Sequence, residues 1–333
     1  MDLPVDERIL FGLFLCSTEP NEILRDLRPD WNEKVTLSLN EKCSILNVQC
    51  SIFNVFPWKE ELSDGIEYEK FCESFFVQPD LFLRLRPGKE ETVIQKLQEA
   101  RVNLKILSKS CLAMPNASKI DEVIDLDVDA VIQDFNSQKI GEFLKTATSN
   151  REPGTLSVWD CCAGSGGKSI MAYDINLDIE LTVSDVRESI LINLKKRFER
   201  AGIKNYKASV IDLAGENIQH SIINNQFSLI ITDVPCSGSG TWSRTPEQLY
   251  FFDDKKIEEY SVLQKKIVSN VVPQLQHGGS FIYITCSAFK KENEEVVDFI
   301  KEKFELQLKQ MELLNGYNKK ADSMFVAVFG RKL

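Results

Sequence analysis

Two short turns carry sulfur and a third carries glycine, and together they bound the chemistry open to this chain. Asp233-Val-Pro-Cys-Ser-Gly-Ser-Gly240 and Tyr283-Ile-Thr-Cys-Ser287 each set one cysteine, Cys236 and Cys286, in a small polar turn at the end of an apolar run. A lone cysteine is commonly an inert small hydrophobe. N–H donors in Ser/Thr/Gly turns instead favour the thiolate, the nucleophilic form of sulfur. Asp160-Cys-Cys-Ala-Gly-Ser-Gly-Gly-Lys-Ser169 is the glycine turn; bare backbone there lets N–H groups approach a ligand closely. Imidazole has little scope, because the 333 residues include only His220 and His277, neither in a promising setting. Catalysis is therefore expected to run on Cys, Asp and Lys.

Three ligands compete for the glycine turn. A phosphate loop, G-x-x-x-x-G-K-[ST], matches at Gly167-Lys168-Ser169 but has Cys162 in place of its first glycine. A dinucleotide fingerprint, G-x-G-x-x-G, matches at Gly164 and Gly166 and fails at Ser169. S-adenosylmethionine also binds at such a turn, with an acid at the end of the next strand on its ribose. Asp185, 25 residues after Asp160, stands at that place. Asp212, at the end of the third strand, would then face the adenine amino group. As plain strand-end turn residues, the same two aspartates would need no ligand. On the S-adenosylmethionine reading, the site comprises Cys162, Ala163, Gly164, Ser165, Gly166, Gly167, Lys168, Asp185, Asp212 and Asp233.

The elements that must position these residues follow from periodicity. After residue 155 strands and helices alternate: strands at Leu156–Cys162, Glu180–Asp185, Lys207–Leu213, Phe227–Val234 and Ser280–Cys286, and helices including Glu188–Ala201 and Lys255–Val272. Leu306–Leu314 and Ser323–Phe329 read as a closing pair of strands. The pattern predicts an α/β fold, a mostly parallel doubly wound sheet with its ligands beyond the carboxyl ends of the strands. Cys236 and Cys286, at two neighbouring strand ends, should then converge on one cleft. Before it, Leu81–Arg86, Glu90–Ala100 and Val102–Lys109 read as a small β-α-β unit, α+β and RRM-like. A helix over Asp129–Ser149 runs into a boundary at Asn150–Gly154. Residues 1–80 read as mainly helical, with the apolar run Ile9–Cys16 expected to bury against the flank of the small unit. The expected domains are 1–80, 81–150 and 151–333.

Charge is uneven along the chain. Residues 1–80 hold 7 Lys and Arg against 16 Asp and Glu, while residues 81–333 hold 33 against 34. Net acidity argues against a nucleic-acid partner in general, yet most of the acid load lies outside the α/β region. Arg84, Arg86, Lys89, Lys105 and Lys109 on the small unit offer a phosphate-contacting platform, or equally a solvated strand face. Nine scattered cysteines without a CxxC pair give no metal site and no disulfide framework. No apolar run reaches the roughly 20 residues of a membrane span, and the acidic start lacks a signal-peptide pattern. A cytoplasmic protein is the expectation.

Residues 81–333 resemble the Sun/RsmB family of RNA cytosine-C5 methyltransferases. The matches are Asp160–Ser169, Asp185, Asp212, Asp233–Gly240, Arg244-Thr-Pro246, Thr285-Cys-Ser287, Glu292–Val297, and Ile132-Gln-Asp134 with Ser137-Gln138. The chain departs from the family pattern at Gly164-Ser165, where Ala-Pro is usual, and at Val234 and Ser239. The resemblance implies a Rossmann-like methyltransferase domain, S-adenosylmethionine as methyl donor, and RNA as partner, with rRNA expected ahead of tRNA. It implies Cys286 as the nucleophile that adds to C6 of cytosine, and Cys236 as the cysteine that assists release. Asp233 is then the proton donor toward N3, and Lys168 its neighbour. DNA cytosine methyltransferases place their nucleophile in a Pro-Cys turn like that at Cys236, so the separate Thr-Cys-Ser turn favours RNA. Two other classes stay open: a non-catalytic RNA-binding assembly factor of the same fold, and a nucleotide-hydrolysing P-loop protein.

Overall fold

Long runs of β-branched and aromatic residues, apolar at both parities, dictate strands buried on two faces. In the computed structural model, which describes residues 4–46, 55–148, 156–215 and 226–332, these runs form one seven-stranded sheet. Its strands are β5 (Leu156–Asp160), β6 (Ile179–Asp185), β7 (Tyr206–Val210), β8 (Phe227–Asp233), β9 (Leu275–Thr285), β10 (Leu306–Leu314) and β11 (Met324–Arg331), in the order β10-β11-β9-β8-β5-β6-β7. Pairs from β9 through β7 are parallel; β11 runs antiparallel to both β9 and β10. The order reverses between β6 and β8 on either side of β5, which opens a crevice above the end of β5.

Alternate residues of each strand feed opposite cores. Ile282 and Ile284 of β9 join Val326 and Val328 of β11 under α7 (Phe135–Thr148), α8 (Gly167–Ile175) and α9 (Glu188–Ala201). Phe281 and Tyr283 join Phe325 and Phe329 under α11 (Lys255–Val271) and α12 (Glu294–Lys303). Among the described residues, the other α-helix of this region, α10 (Pro246–Phe251), contributes no buried residue. The Rossmann-like α/β fold expected from the sequence is the fold observed.

The small unit is richer than a β-α-β. Four strands, β1 (Leu81–Leu85), β2 (Lys105–Ser108), β3 (Cys111–Met114) and β4 (Ala130–Ile132), form an antiparallel sheet in the order β2-β3-β1-β4, with α6 (Glu90–Glu99) on one face. Thus β1 and β2 are not neighbours; the short buried run Cys-Leu-Ala-Met sits between them. The helix expected over Asp129–Ser149 starts instead at Phe135, because Ala130–Ile132 pairs with β1 and Asp134 Oδ1 takes the Asn136 N–H at 2.8 Å. The Asn150–Gly154 boundary and His220 lie outside the described residues.

Two corrections concern how the units meet. Arg84 and Arg86 do not form a phosphate platform: both reach Asp174 of α8, at 2.6 and 2.7 Å, with all three side chains no more than 12% exposed. They hold the small sheet to the helix layer of the seven-stranded sheet. The N-terminal helices α1 (Val5–Cys16), α2 (Glu22–Leu27), α3 (Pro29–Asn32) and α4 (Leu39–Ile45) pack on one another through Phe14, Leu24, Trp31 and Val35. Among the described residues their shared core takes in no side chain of the small unit, on whose flank Ile9–Cys16 is expected to bury. Phe56, with Phe71 of α5 (Tyr68–Ser74), instead packs on Trp242, Ala288 and Phe289, next to the cysteine turns. No helix among the described residues is long and apolar enough to cross a membrane.

Candidate active site

The glycine turn leaves β5 and enters α8 with two residues in left-handed backbone, Gly164 at φ +53° and Gly166 at φ +84°. At Gly166 a side chain is also excluded by space, since a Cβ there would meet Phe198 at 2.7 Å. A Cβ on Gly164 or Gly167 would meet nothing within 4 Å, so the backbone faces open volume. Gly164 N–H donates to Asp185 Oδ2 at 3.0 Å, which ties the turn to the end of β6. Arg187 donates to the same carboxylate at 3.0 Å through Nε. Burial alone would raise Asp185, but these donors hold it below the usual carboxylate range. Arg197 of α9 binds Ser165 O and clamps Asp127 of the small unit, fixing the turn from the far side.

At the foot of the turn Asp160 is fully buried. Ser169 donates to its Oδ2 at 2.6 Å, whereas Oδ1 has no hydrogen-bond partner. Burial pushes this carboxyl up to about 7. Lys168, in the first turn of α8, crosses to Asp233 at the end of β8, Nζ to Oδ2 2.5 Å. Burial by itself would lower Lys168, but the Asp233 charge outweighs it and the net shift is upward. The lysine side chain is 11% exposed and the aspartate 32%, so Asp233 is the end of the pair that a ligand can reach.

The two cysteine turns converge as the topology requires. Cys236 Sγ lies 3.2 Å from Cys286 Sγ, and both are free thiols. Gly240 N–H donates to Cys286 O at 2.9 Å, an approach that only glycine permits, since a Cβ there would meet the Ser323 carbonyl at 2.2 Å. Beneath the sulfurs lies Glu292, fully buried. It accepts from Ser237 N at 2.8 Å, Ser287 Oγ at 2.7 Å and Gln264 Nε2 at 3.0 Å. One carboxylate thus binds the residue after each cysteine. The hydrogen-bonding partner Cys286, then burial, push the Cys236 thiol well above its ordinary range.

One cavity of about 830 Å³ runs from the glycine turn to the sulfurs. Every sequence-derived site residue lines it except Gly166, which is turned onto Phe198. Asp212 is exposed and lies two residues beyond the observed end of β7, its Oδ1 capping Ala214 N–H. Sequence reasoning singles out no role for Glu292, Ser237, Ser287, Gln264 or Arg197. The motif Glu292–Val297 is the one signal pointing to Glu292. The cavity fits S-adenosylmethionine: the glycine backbone is open, Asp185 faces the turn, and Asp160 Oδ1 is a buried acceptor without a donor.

Comparison with known proteins gives a consistent picture. A family model described as 16S rRNA methyltransferase RsmB/F matches residues 147–329. Ribosomal RNA small subunit methyltransferase B of Photorhabdus laumondii is 28% identical over 171 residues, covering 51% of this chain and 38% of the relative. The protein of that name from Proteus mirabilis is 27% identical over 202 residues, covering 60% and 46%. The chain therefore spans less than half the length of these relatives. Among solved structures, one titled Crystal Structure of PH0851 aligns with a TM-score of 0.72 at 21% identity, over 92% of this chain and 74% of its own. NSun6 from Pyrococcus horikoshii with SFG aligns at 0.66 and 14% identity, over 80% and 94%. At such identities the structures speak for the fold. The family match takes in the whole catalytic sheet except its last residues, with the glycine turn and both cysteine turns inside it, and on that ground the chain belongs to the RsmB/F family of S-adenosylmethionine-dependent methyltransferases.

Proposed function

We propose that this protein methylates carbon 5 of a cytosine in RNA, rRNA ahead of tRNA, with Cys286 as covalent nucleophile and Cys236 as the thiol that assists release. The observation that carries the reading is the pair of sulfurs 3.2 Å apart, in the same cavity as the glycine turn and Asp185. A single cysteine would serve many chemistries. Two at neighbouring strand ends, beside a carboxylate–lysine pair, suit addition and elimination at a pyrimidine.

Carbon 5 of cytosine is a weak nucleophile. Addition of the Cys286 thiolate to C6 makes C4–C5 enamine-like and loads electron density onto N3. Asp233 is the more exposed end of the Lys168 pair, so it is the group that would pass a proton to N3 and take it back on release, with Lys168 holding the carboxylate in place. S-adenosylmethionine, when bound, supplies an electrophilic methyl group. Asp185 and the Gly164 backbone are the residues that would hold its ribose end, and Asp160 Oδ1 is free to accept from a cationic group. Release requires loss of the C5 proton to a base and departure of Cys286 with the bonding electron pair. Cys236, pushed toward the thiol form by Cys286 and then by burial, stands at hydrogen-bond distance from the departing sulfur. Glu292 holds both turns, so neither sulfur can drift without breaking a buried hydrogen bond.

A target base reaches a sulfur at the floor of such a cavity only after leaving its stack, so an unpaired or flipped cytosine is the expected substrate. The test is direct. The protein is incubated with unmodified small-subunit rRNA and, separately, tRNA, with labelled S-adenosylmethionine, and the RNA is digested to nucleosides. Label in 5-methylcytidine from the rRNA is the expected result. Label in any other nucleoside would overturn the C5 assignment, and label from tRNA alone would overturn the choice of RNA.

A further inference from the structure

One cluster of charge lies outside the catalytic constellation. Phe135 opens α7, and two ammonium groups lie over its ring, Lys139 Nζ at 5.4 Å and Lys319 Nζ at 5.1 Å from the centroid. Each contact alone is an ordinary cation–π pair. Two on one ring bring like charges together. The acids of the same loops are engaged elsewhere: Asp134 and Asp322 both bind Arg244, at 2.9 and 2.7 Å. Glu312 acts on Lys319 only through space, and among the described residues neither lysine makes an ion pair. Burial first, then Lys139, lowers Lys319, as crowding of two cations against an apolar ring requires.

The surroundings orient this cluster. Phe135 packs beside Phe82, rings 5.9 Å apart, in a patch that joins Cys111 and Ala113 of the small sheet to Ala321. Lys105 stands opposite Ala113 in the β2–β3 register, so it shares that face of the sheet, and it is exposed. Gln133, Asp134 and Ser137, on either side of Phe135, line the catalytic cavity. The lysines thus lie over a patch shared by the small sheet and Ala321, close along the chain to residues that line the cavity.

We propose that Lys139 and Lys319, with Lys105 across the sheet edge, form a phosphate site that grips the RNA backbone beside the target cytosine. The proposal rests on the RNA reading given above. A phosphodiester between the two ammonium groups replaces their repulsion by two charge-assisted hydrogen bonds, and it fixes the strand so that the flanking nucleotide points down the cavity. Phe135 keeps the lysine stems extended, and the Phe82 patch keeps Phe135 in place.

The experiment compares the full chain with K139Q/K319Q and K139R/K319R, using a fluorescein-labelled single-stranded RNA and anisotropy over a salt series. Removing the site should weaken binding about 3- to 10-fold at moderate salt. It should also reduce the slope of log affinity against log salt by about 0.7 for each phosphate no longer neutralised. The arginine pair should restore both, and melting temperatures should stay close across the three proteins because among the described residues neither lysine makes an ion pair and Lys319 lies at the surface. A glutamine pair with unchanged affinity and slope, in a protein that binds RNA and makes 5-methylcytidine, would overturn this proposal alone. A parent protein that neither binds nor methylates RNA would overturn the RNA reading, and this proposal with it.

Discussion

Asp160 shows how much a single buried group can reveal. It ends β5 with one oxygen held by Ser169 and the other unpartnered, and burial lifts its carboxyl from 3.8 to about 7. A folded-state value above the unfolded one means that the native protein binds the extra proton between these limits. Its contribution is therefore fully present below about pH 4 and is lost as the pH rises through about 7. Asp160→Asn keeps an acceptor for Ser169 and removes the ionisation. Thermal melting of the cofactor-free proteins should show the parent losing ground to the variant across that window. Parallel curves would mean that the buried carboxyl does not titrate there. At this scale the sequence is informative wherever chemistry is local. The glycine turn and both cysteines announce themselves as small polar residues closing apolar runs. Glu292 does not, because its partners Ser237 and Gln264 lie 55 and 28 positions away. Arg84 and Arg86 mislead for the same reason: nothing near them in sequence points to Asp174, 90 and 88 residues on.

Elements carry the site by holding strand ends level. Parallel pairing of β8 with β9 puts Asp233 opposite Ile284, so the turns bearing Cys236 and Cys286 leave the sheet side by side. The alternation of strands and helices after residue 155 is legible because burial on both faces demands continuous apolar runs. The small sheet is less so. Cys111–Met114 has only four residues, and Ala130–Ile132 three, too short for periodicity to separate strand from helix. Docking of that sheet uses several polar ties, among them Arg197 to Asp127, but the most buried is Asp174, which accepts from both Arg84 and Arg86 where little water reaches. Asp174→Ala leaves two buried guanidinium groups without their partner and should cost about 3–5 kcal/mol. Asp174→Asn, which keeps an acceptor, should cost less. Chemical denaturation measures both; a change under about 1 kcal/mol for the alanine variant, the range of an exposed pair, would show that the sheet is held elsewhere.

The molecule as a whole divides its charge: residues 1–46 hold 5 Lys and Arg against 9 Asp and Glu, and their apolar side chains meet mainly one another. RNA phosphates would be repelled by that surface, so we expect it to lie off the substrate path. Deleting residues 1–46 should leave the salt slope of RNA binding unchanged, because that slope reports how many phosphates the protein neutralises. Deleting residues 1–80 also strips Phe56 and Phe71 from Trp242 and Phe289, and should destabilise the fold beside the cysteine turns. A slope reduced by about two or more on the shorter deletion would place these helices on the RNA surface. The central claim, one cysteine that attacks and one that frees the product, has a sharper test. Parent, Cys236→Ala and Cys286→Ala proteins are incubated with S-adenosylmethionine and rRNA and run on a denaturing gel. The account predicts a slow-migrating protein–RNA band for Cys236→Ala alone, since addition proceeds and release does not, and neither band nor methylation for Cys286→Ala. A band for Cys286→Ala and none for Cys236→Ala would reverse the two roles and contradict the account.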